Sequence, residues 1–525
     1  MQPAAASRQT ASPASLEADA RQMATSLEKG RYFCLLVLTV VYAAGAMLHA
    51  RNKPFWYDEV FTVLAAAPPT VAGSWQAAQQ LDAAPPLTHL LTHFAVSWFG
   101  QGEVAARLPE IAGFWTFCLC MYWFVRRRLG IFYGLAALLL PLATEAYNYA
   151  FEARPYGLEL AFCGLMLVSW QAATGSRRFK HAAACTAIAL SLMGALLCQY
   201  YAILLYIPLA GGEAYRSWKS RRLDWGIWVA MVFGTAPLIW RLATIRAVVH
   251  GFSQTPWFKV YPIEALNFWD DALHPGLCVL VLVLAAMAIW AWKSPDSSAA
   301  PDKPPDQAMD KPLAFPPFEL VAAILFLTVP VFVVAAGVLV THVYSSRYAL
   351  AGLVGVVLLL PAVVARLSRG RLLVAFLMLA FTALPLIQVT ATIPPPRDLL
   401  SEEFVLVDAL KQGPVVVADG QLFMQMWFYL PESLKSNMIF LVDSDASVKF
   451  QIFTTASIDA ALASVRQVLP VHVFDYRSFA TSGKDFRILQ NPLKPGWLLE
   501  KIAADGGSEG IDRYTAGRQL YHVRM

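Results

Sequence analysis

The chain has 525 residues, of which 57% are hydrophobic, 13% aromatic and only 15% charged, with a mean hydropathy of +0.50. Soluble globular chains carry about 25% charged residues, so this one lacks the polar material to cover a water-facing surface; disorder, collagen and a disulfide scaffold are excluded by the same figures. A net charge of +5 is too mild for a nucleic-acid binder, and the reading left is a protein that crosses a membrane several times.

Residues 1–30 are polar and rich in Ala, Ser and Gln, without the short apolar core and small-residue cleavage site of a signal peptide. They read as a disordered cytoplasmic tail. A bilayer core needs about 20 apolar helical residues per crossing. Such runs stand at 31–50, 108–125, 131–150, 156–174, 181–199, 201–216, 225–241, 276–292, 318–340, 348–365 and 371–390, which gives 11 expected spans. The 86–99 run is shorter, carries His89 and His93, and reads as a helix lying in the interface. With the N-terminus in the cytoplasm, every inner turn is basic, as at Arg126-Arg127-Arg128, Arg177-Arg178 and Arg366–Arg371. That is the bias expected of loops that stay inside. The fold class is therefore mainly α, a polytopic membrane domain over 31–392 with a long first outer loop at 51–107.

An odd number of spans puts residues 393–525 on the far side as a soluble extracytoplasmic domain, entered through the stiff Ile393-Pro394-Pro395-Pro396 linker. There, short apolar runs at 414–419, 437–443 and 471–476 alternate with helical stretches, the pattern of a small α/β layer. No glycine-rich phosphate loop follows any of these runs. The seven cysteines lie in apolar stretches without CxxC spacing, which argues against a disulfide framework or a thiolate metal site.

Ionisable residues that escape the inner turns gather on the outer side. In Phe55-Trp56-Tyr57-Asp58-Glu59-Val60-Phe61, two carboxylates are wrapped in aromatics. A carboxylate drawn partly out of water is a better proton acceptor, so one function is a general base near the lipid boundary. Acids at a helix start within an interfacial aromatic belt account for the same residues. In Ala84-Pro85-Pro86-Leu87-Thr88-His89, the prolines start a helix from which His89 faces outward, in a binding or a structural role. In the second outer turn, Glu145 and Glu152 are seven apart, two turns along one helix face, and Arg154-Pro155-Tyr156 follows. Arg154 is either a fork for a lipid phosphate or the partner of Glu152. In the last outer turn, Arg347 stands beside Tyr348 between long apolar spans, as a phosphate contact or an interfacial anchor. Asp270, Asp271, Trp257 and Trp269 could line a cleft. The acids leave room for a divalent cation, but no metal-ligand spacing is present. Carboxylates and aromatics suit a sugar, arginines a phosphate, and apolar helices a lipid tail.

The acid pair of the first outer loop, the Pro85-Pro86-Leu87 helix start, the stretch Gly102-Glu103-Val104-Ala105-Ala106-Arg107-Leu108-Pro109, the run Glu152-Ala153-Arg154-Pro155-Tyr156 and the late Arg347-Tyr348 resemble the bacterial branch of the dolichyl-phosphate-mannose protein mannosyltransferase family. These are GT-C fold membrane glycosyltransferases. The resemblance implies transfer of a sugar from a polyprenyl-phosphate donor to a hydroxyl on a glycan, lipid or protein, on the outer face and with inversion. It implies Asp58 as the base with Glu59 and Glu152 nearby, and a donor contacted by Arg154, Arg347, Arg107, His89, Tyr156 and Tyr348. Eukaryotic members carry a Lys where His89 stands, and a β-trefoil where this chain reads α/β. A lipid-linked-sugar flippase and a non-catalytic envelope scaffold are the competing readings.

Overall fold

The computed structural model describes residues 13–81, 84–175, 178–254, 260–273, 314–391, 394–450, 456–481, 485–493, 496–515 and 517–524. Among them, five helices are long and apolar enough to cross a bilayer: Arg31–Asn52, Glu103–Leu129, Tyr156–Thr174, Phe179–Cys198 and Ser346–Leu367. Two helix pairs meet the same test only together, bent by 59° after Trp240 and by 42° after Leu327, which brings the count to seven. Ile131–Ala143 and Leu372–Leu384 are shorter apolar helices. The run at 276–292 lies outside the described residues.

The centre of the bundle is a close crossing of Glu103–Leu129 with Tyr156–Thr174. A Cβ placed on Gly113 would meet the Gly157 backbone at 2.8 Å, and one on Gly164 would meet Cys120 Cβ at 2.7 Å. Small residues are what let two backbones approach this closely in an apolar medium. Tyr42 seals the flank, stacked on Trp115 at 4.5 Å with its hydroxyl donating to Ile111 O at 2.9 Å.

Residues 13–29 are not the expected tail. They form a helix, Pro13–Lys29, that packs on Leu372–Ala391. The Glu17 carboxylate accepts the N–H groups of Leu372 and Leu373 at 2.9 and 3.1 Å. Those are orphan donors of a helix start, so a polar segment gains a fixed seat by capping an apolar one. Glu28 similarly takes Arg126, and Arg128 pairs with buried Glu319 at 2.5 Å. The basic turn at 126–128 and Arg107 thus lie at opposite ends of one helix, about 28 Å apart at a 1.5 Å rise per residue.

Among its described residues the first loop holds three helices, Tyr57–Ala66, Val71–Leu81 and Leu87–Phe99. The chain at 140–151 leaves α geometry for two 3₁₀ turns, Leu140–Ala143 and Glu145–Phe151, so the 131–150 run is helical without being one straight helix.

Beyond the prolines, six strands among the described residues form one sheet in the order β3-β2-β1-β4-β6-β5. They are β1 (Val415–Val417), β2 (Met438–Val442), β3 (Val473–Asp475), β4 (Phe486–Gln490), β5 (Ser508–Thr515) and β6 (Arg518–Arg524). The first four run parallel, and β6 is antiparallel to both of its neighbours, β4 and β5. On one face the sheet packs against helices of its own. On the other its core is continuous with Phe55, Tyr57, Val60 and Phe61 of the first loop. Tyr429 completes that junction: its hydroxyl accepts Phe55 N–H at 2.7 Å and donates to Glu103 at 3.0 Å. Gln425 Nε2 donates to Phe55 O at 2.7 Å.

Asp459 is a buried acid in this region, accepting Trp497 Nε1–H at 2.9 Å. Burial pushes its carboxyl from 3.8 up to about 7. The folded state therefore holds this proton at pH values where the unfolded chain has released it. Its contribution to stability is full below about pH 4 and declines as pH rises through about 7. Asp459→Asn, which keeps an acceptor for Trp497, is expected to raise the unfolding temperature at pH 8 while changing it little at pH 4.5. Thermal unfolding of both proteins at the two pH values checks this.

Candidate active site

Asp58 and Glu59 open the helix Tyr57–Ala66. Successive helical side chains are about 100° apart, so the two acids point different ways. Glu59 turns inward and is wholly buried with Arg107. Arg107 Nε and Nη2 fork onto its two oxygens at 2.7 and 2.6 Å. The remaining guanidinium hydrogens go to the carbonyls of Ala50 and Lys53, both at 2.6 Å, and of Pro54 at 3.3 Å. Glu59 also accepts Ala153 N–H at 2.6 Å and Trp56 N–H at 3.3 Å. All five donors of the guanidinium are used, and Phe55 lies beneath it at 4.9 Å. Neither residue offers a free edge to a ligand, so the expectation that Glu59 acts in catalysis and Arg107 on the donor gives way to a structural role.

Asp58 turns outward to a different pair of cations. Arg347 Nη1 lies 2.9 Å from its Oδ2 and Arg154 Nε lies 4.0 Å from the same oxygen. Arg154 Nη1 also reaches Asp58 O at 3.4 Å and Thr62 Oγ1 at 3.5 Å. Arg347 sits between two rings, Trp56 at 5.2 Å and Tyr156 at 5.9 Å. Its Nε and the Tyr156 hydroxyl are buried without a hydrogen-bond partner among the described residues. Tyr348 stacks on Tyr201 at 4.7 Å and 11°, which braces the turn that carries Arg347.

Glu152 does not pair with Arg154. It is buried against Lys53, which donates to Oε1, while Oε2 has no hydrogen-bond partner among the described residues. Burial pushes this carboxyl up and Lys53 opposes the shift. Glu145 and Glu152 share no helix face: the 3₁₀ turn ends at Phe151, and Glu145 is exposed and bonded to Asn148. His89 is 2% exposed and does not face outward, because neighbouring helices cover both sides of Leu87–Phe99. Trp56 is visible in the sequence as one of the aromatics around the acid pair, whereas Lys53, Tyr149 and Tyr201 carry no role in that reading. A cation next to Pro54 was the available signal for Lys53.

Beside Arg347 opens a cavity of about 450 Å³ lined by Glu145, Tyr149, Phe268, Asp270, Asp271 and Ser346. Tyr344 ties the segment carrying the two aspartates to the last outer turn, its hydroxyl donating to Glu264 O at 3.0 Å. Among the described residues no group of three or more His, Cys, Asp or Glu could hold a metal ion. Asp58 and Glu59 diverge onto arginines, so these two acids do not enclose a divalent cation.

No family model and no curated protein matches this chain. Solved structures do. ArnT from Cupriavidus metallidurans in the apo state is 14% identical over 94% of this chain and 98% of its own, with a TM-score of 0.54. The same protein bound to undecaprenyl phosphate matches at 14% identity over 93% and 97%, with a TM-score of 0.52. The chain shares the fold of ArnT. That likeness is one of fold, and it extends over nearly the whole length of both chains. It does not reach the mannosyltransferase branch.

The buried pair fixes the Asp58 helix, so breaking it is expected to cost stability before it touches any chemistry. Arg107→Met leaves the Glu59 charge buried without its partner, a loss of about 3–5 kcal/mol. Arg107→Lys is expected to fare nearly as badly, because an ammonium cannot reproduce a planar five-donor fork. Thermal unfolding in detergent and the yield of monodisperse protein check both.

Proposed function

We propose that the chain is a membrane glycosyltransferase that moves a sugar from a polyprenyl-phosphate donor to a hydroxyl acceptor. The observation that carries this reading is the convergence of Arg347 and Arg154 on Asp58. Two guanidiniums held together on one anion are a seat for a phosphate. The similarity of fold to a protein solved with undecaprenyl phosphate supports the choice of a lipid-linked phosphate.

In this mechanism the donor phosphate takes over the two arginines and frees the Asp58 carboxylate. Asp58 then accepts the proton of the acceptor hydroxyl. The acceptor oxygen attacks the anomeric carbon, and the bond from that carbon to the phosphate oxygen breaks. The electron pair leaves with the polyprenyl phosphate, whose charge the arginines hold. A single displacement of this kind inverts the anomeric carbon. The cavity next to the last outer turn, bordered by Ser346 and Tyr149, is the space we assign to the sugar. The site stands at the end of the bundle remote from the basic turns, so by the positive-inside rule it faces away from the cytoplasm. On this reading the N-terminus lies inside, the C-terminal domain outside, and the protein resides in the inner (plasma) membrane.

The bent pairs at 225–250 and 317–341 are the feature that favours a flippase, since broken helices mark many transport paths. Covalent transfer in detergent, where no gradient exists, separates the two. Asp58→Asn is expected to lower transfer from a labelled polyprenyl-phosphate sugar by about 10²–10⁴-fold with lipid binding retained. Arg347→Ala is expected to weaken lipid binding more than Asp58→Asn does. Wild-type turnover by Asp58→Asn, or equal lipid affinity in the two variants, contradicts the assignment.

A further inference from the structure

Arg154 is part of the candidate clamp, yet it sits in a short irregular stretch between the 3₁₀ turn that ends at Phe151 and the helix that starts at Tyr156. Tight backbone bonds, Arg154 N to Glu152 O and Tyr156 N to Arg154 O, both 2.8 Å, fold this stretch on itself. They set its shape and not its place in the bundle. Its backbone is held from outside at two points, besides the Lys53 contact to the Glu152 side chain. On the near side, Glu59 Oε1 holds the N–H of Ala153 at 2.6 Å. On the far side, Glu110 Oε2 accepts the N–H of Leu158 at 2.9 Å, and the Gly157 N–H lies on the same carboxylate.

Glu110 has no place in the chemistry described above. It is completely buried, forms no ion pair among the salt bridges of the described residues, and its Oε1 has no hydrogen-bond partner there. A lone acid in such surroundings is costly. The start of the Tyr156–Thr174 helix supplies the reason for it. Pro155, just before Tyr156, has no N–H and its side chain caps nothing, so the first N–H groups of the helix need an acceptor. In an apolar interior an orphan N–H is expensive, and a carboxylate also suits the positive end of a helix. The approach is close: a Cβ on Gly157 would stand 2.5 Å from Glu110 O and 3.0 Å from Glu110 Oε2. Only a glycine lets the helix start sit this deep against Glu110. Arg107 lies one turn earlier on the same helix as Glu110 and holds Glu59, so a single turn anchors the chain on both sides of Arg154.

We propose that Glu110 is a positioning residue for the lipid-phosphate clamp. By holding the N–H groups of Gly157 and Leu158, it sets where Arg154 meets Asp58 and hence the incoming phosphate. This deepens the function proposed above and rests on it.

The test measures undecaprenyl phosphate binding by the purified full-length chain in detergent, with thermal unfolding recorded for every variant. Glu110→Ala is expected to weaken binding about tenfold, while Glu110→Gln, whose carbonyl can still accept these N–H groups, stays within about threefold of wild type. The effect should pass through Arg154. In an Arg154→Ala background, Glu110→Ala is expected to cost less than about threefold more, a non-additivity of the kind contacting residues show. A purely structural role would lower the unfolding temperature of Glu110→Ala equally in both backgrounds and leave the binding losses additive. If Glu110→Ala fails to fold, Gly157→Ala, which pushes the helix start off the carboxylate, carries the same expectation and the same cycle with Arg154→Ala. Binding by wild type with unchanged affinity in Glu110→Ala, or additive losses in the cycle, overturns the positioning role and leaves the function standing. Absence of undecaprenyl phosphate binding by wild type overturns both.

Discussion

A guanidinium and a carboxylate shut away from water hold this end of the molecule together. Burying two charges costs several kcal/mol for each ion, and their attraction offsets this only when every remaining donor and acceptor is satisfied. Arg107 and Glu59 meet that condition. The bonds that complete the arginine go to the end of the Arg31–Asn52 helix and to the Lys53-Pro54 turn. Those that complete the glutamate go to Trp56 and Ala153. Two pieces of chain distant in sequence, residues 50–59 and the stretch at Ala153, are thereby fixed to one helix. Each carries or adjoins a group of the candidate site: Lys53 beside Glu152, Trp56 beneath Arg347, Asp58 next to Glu59, and Arg154 next to Ala153.

Neighbouring acids therefore do opposite things. Glu59 is saturated and inaccessible, while Asp58 shares cations that have other supports. Arg347 is held largely by the faces of Trp56 and Tyr156. Stacking fixes the plane of a guanidinium without consuming its hydrogen-bonding edge. Such a group can exchange one anion for another without being rebuilt. A cation fully bonded to the protein, as Arg107 is, cannot.

Much of this was legible in the sequence, and what was not has physical causes. Apolar runs long enough to span a bilayer located the helices at 31–52, 156–174 and 346–367, because hydropathy over about 20 residues is set by the solvent alone. The apolar runs at 414–419, 437–443 and 471–476 contain β1, β2 and β3; for β1 and β2 the related reason is burial on both faces. Strand β5 is exposed at 508–513 and β6 alternates between buried and partly exposed residues, so neither gave such a signal. The helix Pro13–Lys29 was missed because its contacts are caps and ion pairs made to distant segments. At the site, the outward acid and both arginines were legible as charges stranded between apolar spans. Which acid faces out was not, since that depends on a helix phase set by Arg107. Nor was the seat of Glu152, which needs Lys53 to be brought in across 99 positions of chain, nor the burial of His89, which depends on neighbouring helices.

The junction at Phe55 has a bearing on the order in which the protein becomes complete. Phe55 O meets its partner Gln425 across 370 positions of sequence, and Tyr429 follows one turn later. During synthesis, all of the helices up to Ala391 have been made before either side chain exists. The segment leading into Asp58 must wait, its backbone N–H and carbonyl unclaimed, until the last quarter of the chain has emerged and folded against it. A nascent chain stopped before residue 425 thus lacks both side chains that claim the Phe55 backbone, and the approach to Asp58 loses the support that the complete chain gives it.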